Sequence, residues 1–274
     1  MRFFDVKKST FYDAEKSEPI RQAKEAQAIS MALAIRQVHP KYGTVKLKVT
    51  MERQGFGIGR QHLNRLLAER GMLQPKRNRR KVHTSIPGLC AREYTNLVKD
   101  LEVTDINQVI CTDITYIHTT QGVIYLYAII DMHSRKILSH HVSSNLMADN
   151  ALKCLKKALK GIGSTEGIIH HSDRGCQYTS ISYLSYLLER GMRPSFTGRD
   201  HCYDNAIMER VFNTLKNEYG LKSVIVSKKV AIDLIDSAVD IYNNDRLHEA
   251  LGYKTPSEVY DNQTTNQPSP RSSK

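Results

Sequence analysis

Three carboxylates in this 274-residue chain stand where an acid is costly or well placed for chemistry. Asp113 interrupts the β-branched and aromatic run "QVICTDITYIH". Strand alternation there puts Cys111, Asp113 and Thr115 on one face, and Thr112, Ile114 and Tyr116 on the other. Such an acid loses strand propensity and hydration unless a cation pairs with it. Asp173 closes the apolar segment "GIIHHSD", and ligand sites in mixed α/β sheets favour such strand ends. Glu209 lies in "DNAIMERVFNTLKNEYG". Here Ile207, Met208, Val211, Phe212, Leu215 and Tyr219 form an apolar helical face, while Glu209, Asn213 and Lys216 share another. Lys216 follows Glu209 by nearly two helical turns and so stands almost in line with it.

Singly, a strand aspartate is most often an ion-pair partner and a helix glutamate a solvated one. Together the three fit phosphodiester chemistry. Two divalent cations about 3.5–4 Å apart activate a water or sugar hydroxyl and stabilise the leaving oxygen. Mg²⁺, or Mn²⁺ in its place, needs only a few carboxylates, with water and phosphate oxygens completing its shell. His170 and His171 beside Asp173 admit a zinc reading. No further ligand at zinc-like spacing supports it, and adjacent histidines suit one tetrahedral site badly.

The elements that must position these acids follow from periodicity. "QVICTDITYIH", "GVIYLYAIID" and "KILSHHV", joined by short turns, predict an antiparallel meander. A helix over "LMADNALKCLKKALKG", a strand at "GIIHH", a helix over "SISYLSYLLERG" and a short strand at "RPSFT" come next. Two helices, about 204–219 and 228–247, complete the order βββαβαβα plus one helix. The expected domain spans 105–260, and the polar end, 261–274, is expected to be a disordered tail.

Residues 1–74 predict a small helical region: a helix over 19–38 after Pro19, then helix, glycine turn and helix through "GTVKLKVTMERQGFGIGRQHLNRLLAERGML". That pattern is a helix-turn-helix whose second helix, 59–70, shows Arg60, Gln61, Asn64 and Arg65 for reading bases or gripping phosphates. An ordinary helical hairpin has the same pattern. The basic stretch "PKRNRRKVHTSIPG" opens an expected linker, 75–104, in which Arg77, Arg79 and Arg80 can neutralise backbone phosphates.

Charge is divided unevenly. Residues 1–100 carry 21 Lys/Arg against 9 Asp/Glu, whereas residues 101–274 carry 19 of each. A basic front half on a balanced back half points to a polyanion-binding module joined to a different kind of domain. The five cysteines form no C-x-x-C pair, which argues against a disulfide framework or a structural zinc site. No apolar run reaches the roughly 20 residues that span a bilayer, and "MRFFDVKKST" lacks a signal peptide's apolar stretch, so a soluble, cytoplasmic protein without membrane partners is expected.

Four segments carry a family resemblance: "TDITYI", "HSDRGCQYTS", "CYDNAIMERVFNTLKNE" and "YNNDRLHEALGYKTPSEVY". In this order they resemble the DDE transposases of the retroviral-integrase superfamily, in particular the larger-frame product of bacterial insertion sequences. Between Asp173 and Glu209 lie 35 residues, the spacing that names the family's motif, and Lys216 matches its basic position. "HPKYG" and "RLLAERGML" resemble its helix-turn-helix region, so the likeness spans roughly residues 30–260.

The resemblance implies an α/β core with an RNase H-like mixed sheet, behind the small all-α region. It implies Asp113, Asp173 and Glu209 as catalytic metal ligands for Mg²⁺ or Mn²⁺, with two ions. It sets His171, Gln177 and Asn205 around them in support, and Arg174 and Lys216 on DNA. The implied partners are double-stranded DNA (element ends and target), further copies of the chain on that DNA, and an upstream-frame protein or fusion, with the whole associated with the bacterial nucleoid. No heptad run encodes a dimerising coiled coil here. Two departures stand out: Ile110 replaces the family's usual Trp, and "TGRDH" (197–201) replaces a Ser-Arg-x-Gly-Asn-type stretch. A nuclease that stops at hydrolysis and an inactive helix-turn-helix regulator are the rival readings.

Overall fold

A computed structural model describes residues 8–75, 94–198 and 206–266, with side chains described from residue 18 to residue 264 within those ranges. The chain divides into two compact units, Met1–Arg79 and Arg80–Lys274.

In the first unit, helix α1 (Lys8–Val38) precedes α2 (Thr44–Arg53) and α3 (Arg60–Glu69). Helix α1 begins eleven residues before the expected start, so Pro19 lies inside it rather than opening it. Leu47 and Met51 of α2 and Leu63, Leu66 and Leu67 of α3 are buried, which packs the two helices as the periodicity predicts. Gly55, at φ +81, makes the turn after α2, a conformation costly for any residue with a Cβ. Arg36 ties the hairpin to α1 by donating to the carbonyls of Tyr42 and Met72.

The second unit is built on a five-stranded sheet of β1 (Val109–Thr119), β2 (Gly122–Asp131), β3 (Ile137–Ser143), β4 (Ile169–Ser172) and β5 (Arg193–Phe196), in the order β3-β2-β1-β4-β5. β1, β2 and β3 are antiparallel, whereas β4 and β5 run parallel to β1. This is the RNase H-like mixed sheet that the family resemblance implies, and its strands and helices follow the order read from periodicity.

Helices α4 (Ala148–Leu159) and α5 (Ile181–Glu189) contribute to one buried cluster, around Ile110, Tyr127, Ile129, Leu155 and Tyr183. Helices α6 (Ala206–Glu218) and α7 (Lys228–Asn244) contribute to the other, with Val109, Cys111, Leu126, Phe212 and Ile235. Alternation along β1 therefore assigns Cys111 and Asp113 to the α6/α7 face.

Both ends of the core lie outside the expected bounds. Leu97, Val98, Leu101 and Val103 pack on the α6/α7 cluster, so residues 94–104 belong to the core and not to a linker. Helix α8 (Pro256–Asn266) runs through the first six residues of the expected tail. Its start is a capping box: the Thr255 N–H donates to Glu258 Oε2 at 2.7 Å and the Glu258 N–H to Thr255 Oγ1 at 3.1 Å.

Candidate active site

Strand register explains how two acids meet. β4 pairs with β1 only over Val109↔Ile169, Ile110↔His170 and Cys111↔His171. Two residues further along the same parallel register stand Asp113 and Asp173. Neighbouring strands lie about 4.8 Å apart, and residues at an even offset share a face, so the ladder aims both carboxylates to one side where pairing stops. β1 runs on for eight residues beyond Cys111, leaving an open edge at this point.

The electrostatics agree with that placement. Burial and the Asp173 carboxylate, with a smaller contribution from Glu209, push Asp113 up to about 8, against the Ile114 N–H and the Lys216 ammonium. Asp173 is also raised by burial, partly offset by the Gly175 N–H, which donates to its Oδ1 at 3.0 Å. Ile114 N–H holds Asp113 Oδ1 at 2.8 Å. Glu209 is exposed in the first turn of α6, immediately after residues 199–205, which lie outside the described residues.

Among the described residues no three His, Cys, Asp or Glu stand close enough to cage a metal ion as they are. The donor chemistry nevertheless fits a hard divalent cation. Neighbouring carboxylates that raise the proton affinity of Asp113 mark a place short of positive charge, and Mg²⁺ takes its remaining ligands from water and phosphate.

Gly175 keeps the Asp173 side open. A Cβ there would sit 2.9 Å from Asp173 Oδ1 and 3.0 Å from Gln177 Oε1. Gly175→Ala should therefore turn the carboxylate while leaving the melting temperature nearly unchanged, and lower DNA-processing activity on the order of 10- to 100-fold. A variant with full activity would show that the carboxylate has room to spare.

Lys216 lies near Asp113, and its Nζ rests 4.6 Å from the centroid of the exposed Tyr116 ring. This aromatic support was not apparent from the sequence, although "TDITYI" contains it. Tyr116 belongs to the opposite face of β1 by alternation, but the strand's open edge lets its ring meet Lys216.

Other expected residues have different surroundings. The Arg174 guanidinium, expected on DNA, donates to the carbonyls of Thr197 at 3.0 Å and Tyr94 at 3.1 Å, which fastens the chain behind Asp173. Charge alone could not distinguish these roles. His171 is fully buried, with Nδ1 bonded to Ser195 Oγ at 2.9 Å, and that hydroxyl oxygen also accepts from the Leu97 N–H. It braces β4 from within. His170 points to the other face, bonded to the Tyr183 hydroxyl, with burial pushing it down to about 3. Adjacent strand residues on opposite faces cannot share one zinc ion.

Gln177 donates to the Leu146 carbonyl. In the first unit Arg60, Asn64 and Arg65 are all exposed on α3. Asn64 accepts from Thr44 Oγ1, and Arg65 has surface pairs with Glu25 and Glu69. Such pairs are weak and leave the arginine exchangeable. Asn205, Arg77, Arg79 and Arg80 lie outside the described residues.

The fourth motif, "YNNDRLHEALGYKTPSEVY", supplies structure. Asn243 donates to the Ile137 carbonyl and accepts its N–H, both at 2.9 Å, and so closes on β3 like a strand. Arg246 grips Glu218 of α6 through Nε to Oε2 and Nη2 to Oε1, both at 3.0 Å. The helix that carries Glu209 is thereby fixed at its other end.

Two integrase core domain families match this chain, over residues 103–202 and 190–256. The insertion element IS600 31 kDa protein of Shigella sonnei is 30% identical over 92% of this chain and 94% of its own length. The chain belongs to the integrase-core family of insertion-element proteins. The transposase for insertion sequence element IS629, also of Shigella sonnei, is 31% identical over 81% of this chain and 74% of its own. Among solved structures, the HTLV-2 integrase catalytic core domain aligns with 56% of this chain and 96% of its own at 14% identity and a TM-score of 0.45. At the family level the chemistry is polynucleotidyl transfer. No helix among the described residues is long and apolar enough to cross a membrane.

Proposed function

We propose that the chain is a DDE transposase that cuts DNA at the ends of an insertion sequence and joins the freed 3′ hydroxyls to target DNA. The observation that carries this reading is the parallel register that sets Asp113 beside Asp173 at an open strand edge, with Asp113 pushed up to about 8. Asp113, Asp173 and Glu209 would hold Mg²⁺ or Mn²⁺. Bound there, the metal supplies Lewis-acid activation of the attacking oxygen and stabilises the leaving one.

The chain's own residues do the remaining work. The backbone N–H groups of Ile114 and Gly175 orient the two aspartates. The half-buried Lys216 offers its charge to a phosphate beside them, steadied by Tyr116. The exposed face of α3 and the basic front half grip the duplex, and copies of the chain gather on it.

Lys216→Ala should weaken binding of end DNA and slow joining roughly tenfold, as expected for a lost charge-assisted bond, with metal binding retained. Tyr116→Leu should move both in the same direction by a smaller factor, and Tyr116→Phe should not. Equal affinity of Lys216→Ala and wild type at every salt concentration would remove the contact.

The test of the whole reading is a strand-transfer assay with precleaved terminal-repeat oligonucleotides and a supercoiled target in Mg²⁺. Joined products support transposition. Cleavage without joining supports the nuclease, and binding alone the regulator.

A further inference from the structure

Away from the acids, a cavity of about 530 Å³ opens in the second unit between the segment before β1, the β2–β3 turn and the start of α8. Leu101, Val103, Met132, Leu251 and Val259 give it apolar walls. His133, Arg135 and Lys254 also line it, and among the described residues no acidic one does.

Arg135 is the unusual member. Burial lowers its basicity, and its Nη1 is buried without a hydrogen-bond partner. The nearest acid on its own turn, Asp131, is committed elsewhere: it accepts from the N–H of Asn107 and from the N–H and hydroxyl of Ser134. No ion pair to Arg135 or Lys254 occurs among the described residues. His133 is occupied on both sides, by the Val103 carbonyl and by Gln263.

Backbone strain gathers at the same place. Asn107, Arg135 and Tyr253 are the non-glycine residues with positive φ among the described residues. Arg135 lines the cavity, Tyr253 precedes Lys254, and Asn107 holds Asp131. Strain of this kind persists where the surrounding structure enforces it, often around a ligand. A desolvated guanidinium with no close ion pair, on which Asp131 acts only from beyond contact distance, is a costly feature that a bound anion would relieve. The apolar walls suit the body of such a ligand better than a bare phosphate, and the volume suits a small molecule.

We propose that this cavity binds a small amphipathic carboxylate, its acid group between Arg135 and Lys254 and its apolar body against Met132, Leu251 and Val259. The site is separate from the acids of the active site, and the proposal stands whether or not the chain joins DNA.

Calorimetric titration of the full chain with 4-phenylbutyrate tests it. About twelve non-hydrogen atoms allow a dissociation constant on the order of 0.1–1 mM. 4-Phenylbutanol, with the same body and no charge, should bind at least about tenfold more weakly, and inorganic phosphate should not compete. Lys254→Gln and Arg135→Met should each weaken phenylbutyrate about tenfold. Because Arg135 lies in a strained turn, Val259→Phe gives a second route: it fills the cavity, leaves both cations, and should abolish binding while the melting transition stays cooperative. Equal binding of acid and alcohol, competition by phosphate, or no heat at 10 mM probe (about tenfold above the expected constant) would each overturn the proposal.

Discussion

Asp113→Asn, Asp173→Asn and Glu209→Gln are each expected to abolish cleavage and joining while DNA affinity is kept. Each removes a metal-ligand charge with almost no change of shape. Divalent ions supply several kcal/mol of transition-state stabilisation, so the loss should be on the order of 10³-fold or more. Near-normal Mg²⁺-dependent turnover in any one of the three would remove that residue from the site.

Asp113→Asn has a second, opposite signature. Asp113 is raised above the ordinary carboxylate range, so the folded chain holds this proton more tightly than the unfolded chain does. The stability it contributes is present in acid and lost as pH rises through about 8. In EDTA, the wild type should therefore lose melting temperature relative to Asp113→Asn between pH 5 and pH 9, by a few degrees. Added Mg²⁺ should restore it in the wild type and do little for the variant. Parallel melting curves across that range would show that burial and repulsion at Asp113 are relieved some other way.

Arg246→Ala is expected to destabilise the catalytic unit more than any of the active-site substitutions. Both members of its pair with Glu218 are nearly inaccessible, with side chains 11% and 4% exposed. Breaking one side of a buried, doubly bonded pair costs roughly 3–5 kcal/mol because the partner charge stays buried. Glu218→Gln/Arg246→Met, which removes both charges, should recover much of the loss. Chemical denaturation of wild type, single variant and double variant measures this. A single-variant cost below about 1 kcal/mol would place the pair among weak surface contacts.

Much of this was legible locally. The alternation in "QVICTDITYIH" and the apolar face of "AIMERVFNTLKNE" identify the strand and helix that carry Asp113 and Glu209. What local pattern could not supply was the partner of each side chain. Arg174 reads as a free cation, and only the return of Tyr94 and Thr197 to its guanidinium shows where its donors go. Nothing in the local pattern pairs Glu218 with Arg246, 28 residues later, which holds it in a buried ion pair. The pairing of β1 with β4 joins segments about 60 residues apart, which periodicity does not address. By contrast, "TPSE" is a readable helix start, and the helix it opens runs six residues into the expected tail.

The three-residue pairing between β1 and β4 has a consequence for how such a protein can change. Because the two aspartates are aligned by a backbone ladder, their relation varies in whole-residue steps. One inserted codon between Ile110 and Asp113 would carry the acid to the sheet's opposite face and end the chemistry in a single event. Point mutations can wear activity down by degrees, but small insertions here have no partial outcome. A lineage drifting from this reaction should thus keep the length of "VICTD" and "IHHSD" long after it has lost the acids, leaving spacing as the more durable record of ancestry.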